Sequence, residues 1–116
     1  MIKRASDMKS EIREQMRGGE GTIGITHVFS ADELRGKCRL CAHITVSPGS
    51  SIGLHEHVDE EEIFYVLKGK GVVRDGGSEV SVSAGDAILT GGGESHSVQN
   101  TGEEPLEMVA VILLYQ

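Results

Sequence analysis

The residues best equipped for chemistry in this 116-residue chain are His55, His57, Glu62 and His96. His55 and His57 lie two apart, so on a β-strand they share a face. Two strand rises separate them by about 6–7 Å at the backbone, and both rings can reach one ion at bond lengths of about 2.0–2.2 Å. Val58, Asp59 and Glu60 read as a polar turn, and EIFYVL then reads as an apolar and aromatic strand. A hairpin at this turn would carry Glu62 back beside the histidine pair. The fourth ligand must come from elsewhere, and His96 in GDAILTGGGESHSVQN is the best candidate. On the short strand HSVQN it shares a face with Val98. Imidazoles with one carboxylate suit a divalent transition ion, and Mn, Fe, Ni, Co and Zn all accept that set.

These spacings resemble the two motifs of the cupin superfamily. Gly49, five residues, His55-x-His57, four residues, Glu62, six residues and Gly69 correspond to the first motif. Gly85, the triplet Gly91-Gly92-Gly93, His96 and Asn100 correspond to the second, with 15 residues between Gly69 and Gly85. One letter departs, because the family usually has proline where this chain has Gly91. The resemblance runs from about Leu40 to Leu114 and is nearest to small single-domain cupins often labelled oxalate decarboxylase-like. It implies an all-β fold, a small antiparallel β-barrel or double-stranded β-helix of the jelly-roll type. It also implies one bound metal, with manganese favoured, and a homodimer in which the N-terminal segment is often exchanged between subunits.

The elements that must position the site are short strands. TIGITHVF, CRLCAHITV, SIGLHEH, EEIFYVL, GVVRD, SEVSVS, AILT, HSVQN and LEMVAVILLYQ are separated by Gly, Pro, Asp and Asn turns. Gly76-Gly77 marks a two-residue hairpin. This density of short strands predicts a sandwich or barrel. Residues 1–116 read as a single domain, with residues 1–21 an N-terminal arm and 22–116 the barrel. Met8, Ile12 and Met16 recur every four residues, which suits a short amphipathic helix or an arm laid on a neighbour. LEMVAVILLYQ is apolar along nearly its whole length and is expected to be covered on both faces.

Composition narrows the partners. A net charge of −7 disfavours nucleic acid and acidic membranes, which need a basic face. No apolar run reaches the roughly 18 residues of a membrane span, and the N-terminus has no apolar core of a secretory signal, so the expected compartment is cytoplasmic. Cys38 and Cys41 form a C-x-x-C pair, but strand positions three apart face opposite sides and no second pair exists, so they read as free thiols.

Three neutral imidazoles and one carboxylate around a divalent ion leave a local charge of about +1, which favours a small anionic ligand. Glu94, beside His96 in the Gly-rich loop, is a candidate acid or base. Arg17 is a candidate for an anionic ligand if the arm covers the pocket mouth, and His43 is one if its strand turns that side inward. His27 reads as a surface or satisfied histidine, and Asp59, Glu60 and Glu61 as solvated turn acids. The resemblance implies a metalloenzyme acting on a small carboxylate such as oxalate. A cupin dioxygenase, a sugar-handling isomerase and a non-catalytic metal-dependent binding protein would use the same four ligands.

Overall fold

The structure, a computed structural model, describes all residues from Met1 to Gln116. Its ten strands are β1 (Lys9–Glu14), β2 (Thr22–Phe29), β3 (Cys38–Val46), β4 (Ser51–Glu56), β5 (Glu60–Lys68), β6 (Lys70–Asp75), β7 (Ser78–Ser83), β8 (Ala87–Gly91), β9 (Ser95–Gln99) and β10 (Leu106–Leu114). They pair antiparallel into a six-stranded sheet, β1-β2-β3-β10-β5-β8, and a four-stranded sheet, β4-β9-β6-β7. This is the jelly-roll arrangement that the resemblance implies. Neither sheet closes on itself, so the expected barrel is a two-sheet sandwich.

Alternation along each strand decides what lies between the sheets. Ile23 and Ile25 of β2, Ala42, Ile44 and Val46 of β3, Phe64 and Val66 of β5, and Leu106, Met108 and Ala110 of β10 point inward. They meet Ile52, Val73 and Val98 from the other sheet in one cluster. Phe64 is fully buried, and truncating such a side chain to alanine typically costs about 3–5 kcal/mol. The Gly76-Gly77 hairpin forms between β6 and β7, with φ of +57° and +90° at the two glycines, as a tight two-residue turn requires.

Three expectations need correction. Residues 1–17 are not an amphipathic helix. They form two short 3-10 turns flanking β1, which pairs with β2 at the sheet edge. The pairing satisfies backbone groups that a short isolated helix would leave marginal. Ile12, opposite Gly24, stays on the outer face. Second, β4 and β5 do not form a hairpin, because they belong to different sheets. Third, β10 is buried on its inner face only. Its outer residues Val109 and Val111 are half-buried, and Leu113 is exposed. No helix is long and apolar enough to cross a membrane.

The N-terminus is tied down locally. Lys3 donates to Glu33 at 2.6 Å and lies over the Phe29 ring. The Lys3 ammonium, helped by the Ser30 backbone, holds the half-buried Glu33 carboxyl down to about 2.

Candidate metal centre

His55, His57, Glu62 and His96 converge between the two sheets, each offering one ligand atom within 4.8 Å of the others. The route differs from a hairpin. His55 and His96 are direct cross-strand partners on β4 and β9. Glu62 comes from β5, in the facing sheet. His57 sits in the crossing between sheets, where its backbone bonds Glu94 and Gly93. The register of β4 against β9 shifts between Ile52 and His55. That extra residue lets both Ile52 and His55 face inward although they are three apart.

The proton positions follow from the partners. His55 Nδ1 is 2.7 Å from the Gly53 carbonyl, and His57 Nδ1 is 2.5 Å from Glu60 Oε2. Both partners accept only, so both Nδ1 atoms carry the proton. His96 Nδ1 lies 3.0 Å from the Thr90 hydroxyl, which can accept in the same way. The Nε2 lone pairs of His55 and His57 therefore aim inward, and His96 Nε2 points to the same place. His96 Nε2 lies 3.0 Å from Nε2 of both His55 and His57. Glu62 Oε1 lies 3.0 Å from His57 Nε2 and 3.1 Å from His96 Nε2.

Lone pairs and a carboxylate packed this closely repel one another unless a cation sits among them. The spacing fits one. Bonds of about 2.1 Å put neighbouring donors about 3.0 Å apart on an octahedron and about 3.4 Å apart on a tetrahedron. Burial disfavours the charged form of His55 and pushes its pKa down, which keeps the ring available as a neutral ligand. Phe64 stacks on His96 with centroids 5.0 Å apart and supports the ring from below.

A cavity of about 90 Å³ opens onto the cluster. Its inner wall includes His55, His57 and Glu62, its flanks are Ile25, Leu40, Ile44, Ile52, Phe64 and Ile112, and Met16, Arg13, Arg17, His27 and Arg39 also line it.

The arginines differ. Arg13 pairs with Glu11 at 2.6 Å, and Arg39 forks onto Glu60 with two bonds of 2.8 Å. Arg17 has no acidic side chain within ion-pair distance. It sits in a left-handed backbone conformation, φ +56°, in the turn that follows β1. That turn packs on β4 so closely that a Cβ on Gly53 would collide with the Arg17 carbonyl.

The remaining sequence candidates fall elsewhere. His43 faces outward, because Ala42 and Ile44 take the inner face, and its ring lies 3.1 Å from Glu107. Glu94 is exposed and does not line the cavity; only its carbonyl approaches the site, accepting from the His57 N–H at 2.9 Å. Cys38 and Cys41 are free, and burial pushes the Cys41 thiol up.

Three contributors were not singled out from the sequence. Glu60, read as a solvated acid, has a side chain only 12% exposed and is bonded to His57. Its signal was period two, since Glu60 shares strand parity with Glu62 and Phe64. His27 lines the cavity and bonds Glu11 at 2.8 Å. Arg39 had no such signal, because it is the extra residue of a bulge. Ile112 opposes Leu40 and Leu113 opposes Cys38, which leaves Arg39 out of register. Bulges re-aim side chains in this way.

The departure at Gly91 also has a local cause. A Cβ there would meet Glu61 Cβ at 2.5 Å and the Tyr115 hydroxyl at 2.7 Å. Asn100 is buried and closes the turn before β10, bonding the carbonyls of Val46 at 2.9 Å and Glu104 at 2.8 Å.

The cupin domain profile matches residues 42–112. An oxalate-binding protein of Thermotoga maritima is 46% identical over 114 residues, covering 98% of this chain and 94% of that protein. Among solved structures, a predicted oxalate decarboxylase from Thermotoga maritima superposes with a TM-score of 0.93 at 46% identity, over 98% of this chain and 99% of that one. The polyketide cyclase RemF from Streptomyces resistomycificus shares the fold, with a TM-score of 0.76 at 23% identity over 100% of this chain and 81% of its own.

Proposed function

The chain belongs to the cupin family, and on that premise we propose that it binds a small carboxylate anion at a divalent metal held by His55, His57, Glu62 and His96. The observation that carries this reading is the convergence of four donor atoms. Three inward Nε2 atoms and one buried carboxylate could hold a cation, and an arginine without an acidic partner lines the same cavity. When bound, the metal supplies positive charge that draws a carboxylate oxygen to its open positions. The chain's own residues do the rest. The apolar flanks exclude water from the inner end, and Arg17 faces the anion from the mouth.

The cavity of about 90 Å³ suits a small ligand. Oxalate is a small dicarboxylate of this kind, and the Thermotoga relative is named for oxalate. The donor spacing favours an ion that accepts octahedral geometry, manganese before zinc.

Catalysis is the second reading, favoured by the likeness to the predicted oxalate decarboxylase. Decarboxylation exchanges carbon dioxide for a proton at the remaining carbon, so it needs a proton donor. Among titratable groups lining the cavity, His27 is neither a proposed ligand nor an arginine. The apolar outer face of the six-stranded sheet, with Ile12, Tyr65 and Leu89 exposed, supports a homodimer built on that face.

The test is calorimetric titration of oxalate into metal-free and manganese-loaded protein, with carbon dioxide measured in parallel. Binding only to the loaded protein is expected. Equal binding to both forms would sink the reading, and sustained carbon dioxide release would establish the catalytic alternative.

A further inference from the structure

The three histidines of the centre are not equivalent in what holds them. The far nitrogen of His55 meets a backbone carbonyl and that of His96 a hydroxyl, both uncharged. The far nitrogen of His57 meets a carboxylate, Glu60 Oε2, at 2.5 Å. That carboxylate is gripped in turn by Arg39, whose Nε and Nη2 each donate at 2.8 Å to a different Glu60 oxygen. Arg39 lines the mouth of the same cavity.

The geometry points to Glu60 and Arg39 as a positioning pair that runs from the cavity mouth to the metal through His57. This rests on the metal-site reading above. Glu60 performs two tasks. It accepts the hydrogen bond from His57 Nδ1–H, which leaves the Nε2 lone pair for the metal, and its negative charge makes the ring a stronger ligand. Carboxylate–histidine–metal arrangements of this kind commonly contribute 10- to 100-fold in metal affinity.

Arg39 keeps Glu60 in place. A side-on fork fixes both carboxylate oxygens at once, which a lysine cannot do. Two bonds from Arg39 and one from His57 engage both Glu60 oxygens, and the Glu60 side chain is only 12% exposed. The guanidinium still has Nη1 free, because only Nε and Nη2 are engaged. A carboxylate ligand entering the cavity can meet that edge without breaking the fork. Neither residue contacts the ion itself; both act through His57.

The experiment uses the full chain and manganese alone as the probe. Manganese dissociation constants are measured by chelator competition for the unaltered protein, Glu60→Gln, Arg39→Lys and, as a neutral-partner control, Thr90→Val. Glu60→Gln should weaken binding 10- to 100-fold. Arg39→Lys should weaken it less and in the same direction, and Thr90→Val least of all. A second readout needs no metal. In the metal-free protein the His57 Nδ1 proton, shared with a carboxylate, should give a far-downfield NMR resonance that moves upfield in Glu60→Gln. Loss of stability alone would not produce that movement. If Glu60→Gln does not fold, Arg39→Lys and its resonance carry the test. Manganese bound within twofold by every variant, with an unmoved resonance, overturns the pair while leaving the four-ligand centre standing. No manganese bound by the unaltered chain overturns both.

Discussion

The cavity has two ends made in different ways. At the inner end, the four candidate ligands come from β4, β5, β9 and the crossing between the sheets, buried except for the partly exposed His55. At the mouth, Arg13 and Arg17 are exposed and come from an edge strand and a strained turn. At the inner end each candidate ligand ring is fixed at its far nitrogen, and His96 is stacked on Phe64. The mouth arginines Arg13 and Arg17 are exposed to solvent. This contrast teaches a division of labour within the proposed function, in which affinity for the cation would belong to the packed sandwich and preference among anions to the arm laid over its edge.

The largest effect should come from the inner end. His57→Ala or His96→Ala removes one of four anchors, and elemental analysis after dialysis against dilute metal should show most of the metal lost. The sandwich should still fold on its apolar strands. Full stoichiometry in both variants would mean the ligand set is wrong.

Deleting residues 1–19 removes Arg13 and Arg17 and leaves only Arg39 at the mouth. It should abolish measurable oxalate binding at sub-millimolar concentration while the inner end still takes metal. It also strips β1 and Ile12 from the sheet edge, so sedimentation should show a weakened dimer. A monomeric unaltered chain at micromolar concentration would refute the dimer.

Gly53→Ala is the change that should damage both ends together. Its Cβ would drive into the Arg17 carbonyl, while the Gly53 carbonyl is the acceptor that orients His55. A drop in metal affinity accompanied by weaker oxalate binding is expected from paired titrations. A loss confined to one end would show that the turn and His55 move independently.

Arg17→Ala should be the mildest and the most selective. Hydrogen bonds to charged groups contribute about 1.5–3 kcal/mol, so oxalate binding should fall by about one to two orders of magnitude with metal content unchanged. The loss should shrink as salt is raised, because an exposed cation is screened. Unaltered oxalate affinity would take Arg17 out of the site.

Much of this was legible in the chain. Period-two alternation and glycine turns marked nine strands from Thr22 onward, because a side chain's face depends only on strand parity. The spacing of His55, His57, Glu62 and His96 marked four side chains that the structure brings together. What failed was long-range. The polar turn at residues 58–60 looked like a hairpin, yet the chain crosses there to the other sheet, and no local pattern separates the two outcomes. The period of four in residues 1–17 suggested a helix, but pairing with β2 satisfies that backbone instead.

By itself, then, the sequence determined which side chains share a face, which segments turn, and which residue types can hold a cation. Only the tertiary structure decided which faces meet. It put Glu62 opposite His55 and His96 from a separate sheet, sent His43 outward because Ala42 and Ile44 compete successfully for the interior, and drew Glu60 in behind His57. It also placed Arg39, through a bulge whose extra residue breaks the parity on which every sequence inference rests. Strand parity is a property of neighbours in the chain, whereas sheet partnership and bulges are settled by burial and hydrogen bonding between segments far apart.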